Sequence, residues 1–220
     1  MKNLWSHHLK YYDLFQNNLD EYKGIIRLHL EKLEGLNKIL DTGAGSGNLT
    51  LELLKEGHEV TAIDNHSVSL KVLLEKCKKF NNKLRTFEMD VQNLDFKDNE
   101  FDGASSMFVI PFVKDNSKYF KEIYRVLKKG SRFTISAWSS EPTKELTDVI
   151  IQELTKKDIL PKFKKEWDYI SQSVTETSKF VKKSQGEEEL KDSLKKIGFK
   201  KVQSVKNSYG KFVHFLVCKK

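Results

Sequence analysis

Apolar residues recur near helical spacing over residues 1–36, at Leu14, Leu19, Tyr22, Ile25, Ile26, Leu30 and Leu33, which predicts helices there. Gly35 and Asn37 close that stretch, and a strand follows at Lys38–Asp41. After a glycine cluster, Asn48 caps a helix through Leu49, Leu51, Leu53 and Leu54 to Gly57. His58–Asp64 alternates as a second strand, with Val60, Ala62 and Ile63 apolar. A helix over Ser67–Phe80 and strands at Leu84–Asp90 and Phe101–Ile110 continue the rhythm. Asn116–Leu127 reads as an amphipathic helix, closed by Lys128-Lys129-Gly130, and Ser131–Trp138 as a fifth strand. Repeated β-α units argue for an α/β fold, a doubly wound and mostly parallel sheet with helices on both faces.

The rhythm breaks after Trp138. Residues 139–186 are polar and predicted helical, with Pro142 and Pro161 as punctuation. One more helix fits residues 187–197. Lys200–Lys206 and Lys211–Cys218, separated by Ser208-Tyr209-Gly210, suggest a hairpin at the sheet edge. The expected organisation is one domain over residues 1–220. Residues 1–36 form a helical cap, 37–138 the core, 139–186 an acceptor-side insertion and 187–220 the final helix and hairpin.

Composition narrows the class. Hydrophobic residues at 38% suffice for a packed core. No apolar run reaches the ~20 residues that span a bilayer, and the first residues lack a secretory apolar core. Two cysteines, Cys77 and Cys218, build neither a disulfide scaffold nor a four-thiolate zinc site, and no metal is expected. A cytoplasmic location follows as the expectation. The net charge is +8, and the excess lies after residue 140, where basic residues outnumber acidic ones 18 to 12. Only Arg27, Arg85, Arg125 and Arg132 are arginines, and lysine is the poorer reader of phosphates and guanines. No tight nucleic-acid binding is expected.

The chemistry gathers at strand ends. Gly43-Ala44-Gly45-Ser46-Gly47 joins a strand to a helix, where doubly wound folds bind nucleotides. Asp64 lies 21 residues beyond Gly43, at the end of the second strand, where a carboxylate accepts both ribose hydroxyls of an adenosine. The spacing is G-x-G-x-G, not that of a dinucleotide loop, and no Lys-Ser or Lys-Thr follows it. Asp41 precedes the loop and would repel a pyrophosphate. With Asp90 at the end of the third strand, three acids favour a cation. S-adenosylmethionine combines an adenosine, no phosphate and a net positive charge, so it is preferred over NAD.

Taken together these segments resemble the class I S-adenosylmethionine-dependent methyltransferases, in their ubiquinone/menaquinone-type, small-molecule branch. The resemblance rests on Ile39–Gly47, Val60–Asp64, Met89-Asp90-Val91, Asn99–Asp102, Tyr124–Gly130, Gly198-Phe199 and Tyr12-Asp13. It implies a Rossmann-like methyltransferase fold with a seven-stranded sheet. It also implies that Gly43, Ala44, Gly45 and Gly47 face the methionine moiety and Asp64 the ribose, with Asn65 beside the adenine. Asp90 and Val91 would meet the adenine edge. Ser106 or Met107 would touch the methionine ammonium or the acceptor, and Tyr12 would close over the cofactor. Asp41 joins this cofactor set through its place before the loop. Ser131, Pro111-Phe112 and His66 depart from the family pattern, and the lost histidine pair at 111–112 removes one source of a catalytic base.

The expected activity is methyl transfer from S-adenosylmethionine to nitrogen, oxygen or sulfur of a small-molecule acceptor, leaving S-adenosylhomocysteine. Tyr11, Tyr12, Phe112 and Trp138 are the candidate acceptor residues, although Trp138 fits a core position equally and Asp90 fits a turn cap. The rivals are an RNA- or protein-modifying methyltransferase and a non-catalytic S-adenosylmethionine-binding subunit. A monomer or homodimer is expected, and no catalytic base is assigned.

Overall fold

A computed structural model describes residue 13 and residues 16–139, 144–159 and 185–220. The described helices are α1 (Asp20–Leu33), α2 (Asn48–Lys55), α3 (Ser67–Cys77), α4 (Asn116–Val126), α5 (Lys144–Lys156) and α6 (Glu187–Ile197). The strands are β1 (Lys38–Thr42), β2 (Glu59–Asp64), β3 (Leu84–Glu88), β4 (Phe101–Met107), β5 (Leu127–Trp138), β6 (Lys200–Ser204) and β7 (Val213–Lys219). They form one mixed sheet in the order β3-β2-β1-β4-β5-β7-β6. The first five strands are parallel, and β7 runs antiparallel to both β5 and β6. Strand β1 is central and covered on both faces, so Ile39 and Leu40 are both fully buried rather than alternating with polar residues.

Two apolar clusters flank the sheet. One joins α1, α2 and α3 through Tyr22, Ile25, Leu33, Leu53 and Leu73 to Ile39, Val60 and Phe215. The other joins α4 and α6 through Tyr119, Phe120, Ile123, Leu190 and Leu194 to Leu40, Phe133 and Leu216. Helix α4 starts where Asp115 accepts from the Lys118 N–H at 3.0 Å. Helix α6 opens on Glu187, Glu188 and Glu189 and closes on Lys195 and Lys196, matching its dipole.

The last two strands form the expected hairpin at the sheet edge; β6 is the edge strand, and β7 lies between β5 and β6. Its Phe215, Leu216 and Cys218 are buried, which an edge position would not need. Some boundaries shift for local reasons. Strand β4 stops at Met107 because Phe108 takes a left-handed φ of 61° and Ile110–Phe112 then forms a 3-10 turn containing Pro111. Strand β5 begins at Leu127 and runs through Lys128-Lys129-Gly130, with a register irregularity against β4 between Phe101 and Gly103. Within the predicted insertion the structure describes α5; residues 140–143 and 160–184 lie outside the described residues. Among the described residues no helix is long and apolar enough to cross a membrane.

Candidate active site

The loop Gly43–Gly47 links β1 to α2 at the C-terminal edge of the sheet. Its three glycines all have positive φ, at 61°, 55° and 82°. Two of them also need the missing side chain. A Cβ on Gly43 would lie 2.6 Å from Val109 Cγ2, and one on Gly47 would lie 2.5 Å from Leu73 Cγ. Gly45 instead faces open space on its Cβ side. The loop backbone is tied down where Ala44 N–H donates to the Ile63 carbonyl at 2.9 Å.

Asp64 ends β2 beneath this loop. Its Oδ2 accepts from the Gly45 N–H and its Oδ1 from the His66 N–H, both at 2.9 Å. Burial raises its pKa, and these two N–H donors oppose the rise. Each carboxylate oxygen keeps lone pairs beyond the one so used. Asn65 is exposed beside it.

Asp41 is turned inward, 2% exposed. Its Oδ1 accepts from the Ser105 hydroxyl at 2.8 Å and its Oδ2 from the Thr50 hydroxyl at 2.6 Å. Burial pushes its pKa up to about 6, against the pull of those hydroxyls and with a further push from the Asp64 charge. Asp90 is exposed and caps its own turn, accepting from the Gln92 N–H at 2.9 Å and from Gln92 Nε2. The three acids therefore occupy different settings: Asp41 in the interior, Asp64 at the strand end and Asp90 in a separate turn. Val91 is buried behind that turn.

Ser106 is fully buried within β4, and Met107, half-buried, ends the strand opposite Ser136 of β5. Trp138 ends β5 and stacks on Phe108, with centroids 4.8 Å apart and planes 21° apart. Phe108 also stacks at 6.3 Å against Tyr22 of α1, while Tyr209 meets Trp138 edge-on at 5.5 Å. Phe112 is exposed on the 3-10 turn. Tyr11 and Tyr12 lie outside the described residues.

Several residues at the site were not singled out as site residues by sequence. Phe108, Tyr22 and Tyr209 come from three distant segments and read locally as core or turn positions. Asp13 carries the one usable signal, as the partner of Tyr12 in the resemblance; its carboxylate accepts from Ser46 of the loop, from Asn48 and from Lys76. Arg125 of α4 donates to the Leu94 and Phe96 carbonyls at 2.8 and 2.7 Å, and pairs with Glu122 and Asp98. It thereby holds the loop that follows Asp90.

These groups suit an adenosine with a cationic tail. Gly45 leaves room for close approach, Asp64 keeps acceptor lone pairs beside the loop, and Lys76 already serves Asp13 and the side-chain oxygen of Asn48. A phosphate at the loop would face the carboxylate of Asp64, with that of Asp41 behind it.

Comparison with known proteins agrees. The family described as "Methyltransferase domain" matches residues 40–135. A demethylmenaquinone methyltransferase of Staphylococcus saprophyticus is 31% identical over 218 residues, covering 87% of this chain and 88% of that protein. A ubiquinone/menaquinone biosynthesis C-methyltransferase of Idiomarina loihiensis is 29% identical, covering 75% and 67%. Two demethylmenaquinone methyltransferases of Tropheryma whipplei are spanned over only 42% of their length. Among solved structures, an S-adenosylmethionine-dependent methyltransferase of Methanococcus maripaludis aligns with a TM-score of 0.67 at 23% identity, over 98% of this chain and 93% of that one. Haemonchus contortus phosphoethanolamine N-methyltransferase 2 aligns with a TM-score of 0.70 at 16% identity, over 98% and 57%, and establishes likeness of fold. Fold and site thus define a methyltransferase that uses S-adenosylmethionine. More narrowly, the chain belongs to the class I S-adenosylmethionine-dependent methyltransferases of the ubiquinone/menaquinone type.

Proposed function

We propose that this chain transfers the methyl group of S-adenosylmethionine to a small-molecule acceptor seated at the C-terminal ends of β4 and β5. One observation carries the reading: the Phe108–Trp138 stack stands at those two strand ends, and Val109 abuts Gly43 of the loop. A flat apolar body against these rings would bring its reacting atom beside the loop. Gly43, Ala44, Gly45 and Gly47 cradle the methionine moiety, Asp64 accepts from the ribose hydroxyls, and Asn65, Asp90 and Val91 border the adenine. Met107 faces the acceptor at the end of β4, with Ser106 buried behind it and Phe112 at the rim.

Bound S-adenosylmethionine supplies an electrophilic methyl group on a good leaving group. The chain's residues align the acceptor with that methyl and exclude water from the space between, which is the larger part of the catalysis required. Asp41 and Asp64 add a negative field that favours the cationic cofactor over the neutral product.

The names of two relatives, a C-methyltransferase and a demethylmenaquinone methyltransferase, support carbon as the acceptor atom, ahead of the nitrogen, oxygen or sulfur expected from the sequence. A ring carbon becomes nucleophilic when a neighbouring ring hydroxyl loses its proton. The test is turnover with methyl-labelled S-adenosylmethionine against a pool of small metabolites, with the labelled product resolved by NMR. A carbon-bound methyl is the expected product. A heteroatom-bound methyl returns the acceptor to the amine, hydroxyl or thiol class. Label found only in RNA or protein overturns the small-molecule reading.

A further inference from the structure

Four side chains from four segments meet at one edge of the glycine loop. Asp13, ahead of α1, has a side chain only 17% exposed, and Lys76 of α3 only 20%. Asp13 Oδ2 accepts from Lys76 Nζ at 2.6 Å, and Oδ1 accepts from Asn48 Nδ2 at 3.0 Å and from the Ser46 hydroxyl. Lys76 also donates to Asn48 Oδ1 at 2.6 Å, and Asn48 reaches the Tyr22 hydroxyl at 3.2 Å. Ser46 lies between Gly45, whose N–H is held by Asp64, and Gly47, which is wedged against Leu73. The loop is therefore gripped at neighbouring residues from two sides, Gly45 by one carboxylate and Ser46 by another.

A loop with three positive-φ glycines has much backbone freedom to lose on binding. Bonds that fix it beforehand lower the cost of ordering it around a ligand. Asp13 is suited to hold without competing for the cofactor's cationic groups, because Lys76 neutralises it at contact distance. We propose that Asp13 is a positioning residue for the cofactor, acting through the Ser46 hydroxyl to preorganise the Gly43–Gly47 loop. This rests on the placement of S-adenosylmethionine on that loop.

The experiment is calorimetric titration of the full chain with S-adenosylmethionine, together with cofactor-free thermal unfolding. The variants are Asp13→Ala, Ser46→Ala, Ser46→Thr and the Asp13→Ala/Ser46→Ala double. Each Ala variant is expected to raise Kd about 10-fold, as loss of a charge-assisted bond would. If both residues act through one bond, the double variant binds no more weakly than the worse single, whereas independent sites would multiply to about 100-fold. Ser46→Thr retains the hydroxyl and is expected to bind as wild type does. Wild-type affinity in Ser46→Ala overturns the inference even if Asp13→Ala fails to fold, as do multiplicative losses in the double. A wild-type chain that binds no S-adenosylmethionine instead overturns the loop placement, and this inference with it.

Discussion

Asp41, two residues before the glycine loop, and Asp64, bonded to it from β2, are two carboxylates in different settings. Asp64 spends one lone pair of each oxygen on backbone N–H groups and keeps the rest for a ligand. Asp64→Ala should weaken S-adenosylmethionine binding at least ~10-fold, since two charge-assisted bonds to a ribose would go. Calorimetry checks this, and a variant with unchanged affinity would misplace the ribose. Asp41 is held away from solvent by Thr50 and Ser105, with its pKa near 6 in place of 3.8. A raised carboxyl pKa means the folded state binds the extra proton, so this group's contribution falls as pH climbs from about 4 to 6. Asp41→Asn should therefore stabilise the cofactor-free protein at pH 7.5, by at most about 3 kcal/mol, while weakening cofactor binding. Urea unfolding and calorimetry on the same variant measure both. The inward direction of Asp41 is not legible in a sequence that only shows an acid before a glycine loop.

At the scale of elements, α1 is fastened to β5 by a fully buried histidine. His29 Nδ1 lies 2.8 Å from the Thr134 hydroxyl and Nε2 3.1 Å from that of Ser136, with the ring edge-on to Phe215. Burial lowers its pKa from 6.5 to about 3, so it stays neutral in the folded chain. As pH falls below 6.5 the unfolded chain takes a proton that the folded one refuses, and stability drops by about 1.4 kcal/mol per pH unit until about pH 3. His29→Gln should flatten this acid limb, seen as a smaller difference in urea midpoint between pH 5 and pH 7. The sign is opposite to that of Asp41 over the same range, so Asp41→Asn should steepen the limb. Most elements are legible from period alone. The apolar spacing of Ile25, Ile26 and Leu33, and the buried run Ile39-Leu40, each find the expected helix or strand. Phe108 is not legible, because it has a left-handed φ and its ring stacks on Tyr22 and Trp138, both far from it in sequence. The same holds for the grip of Asp13 on Ser46, which unites residues 33 positions apart.

For the whole molecule, the net charge of +8 is the feature most easily over-read. The basic residues of α6 alternate with its buried Leu190 and Leu194, and Lys191 already pairs with Glu187 and Glu188. Such a surface is a solvated face, so filter binding should find no nanomolar affinity for RNA at physiological salt. Six phosphate contacts would instead show as roughly a thousandfold loss between 50 and 200 mM salt, and that result would promote an RNA acceptor. The order of strands is the other global property that local sequence does not carry. Strand β7 pairs with β5 along Arg132–Trp138, from Arg132 opposite Lys219 to Trp138 opposite Val213, so the pairing joins residues far apart in sequence. Among the described residues β6 pairs with the sheet through β7 alone, so its place depends on the later strand being in position. Until then β5 presents an open, apolar edge, with Phe133 and Ile135 behind it, of the kind that invites pairing with another chain. A cut between β6 and β7 would thus separate a large fragment, with a gap between β5 and β6, from the short strand that fills it.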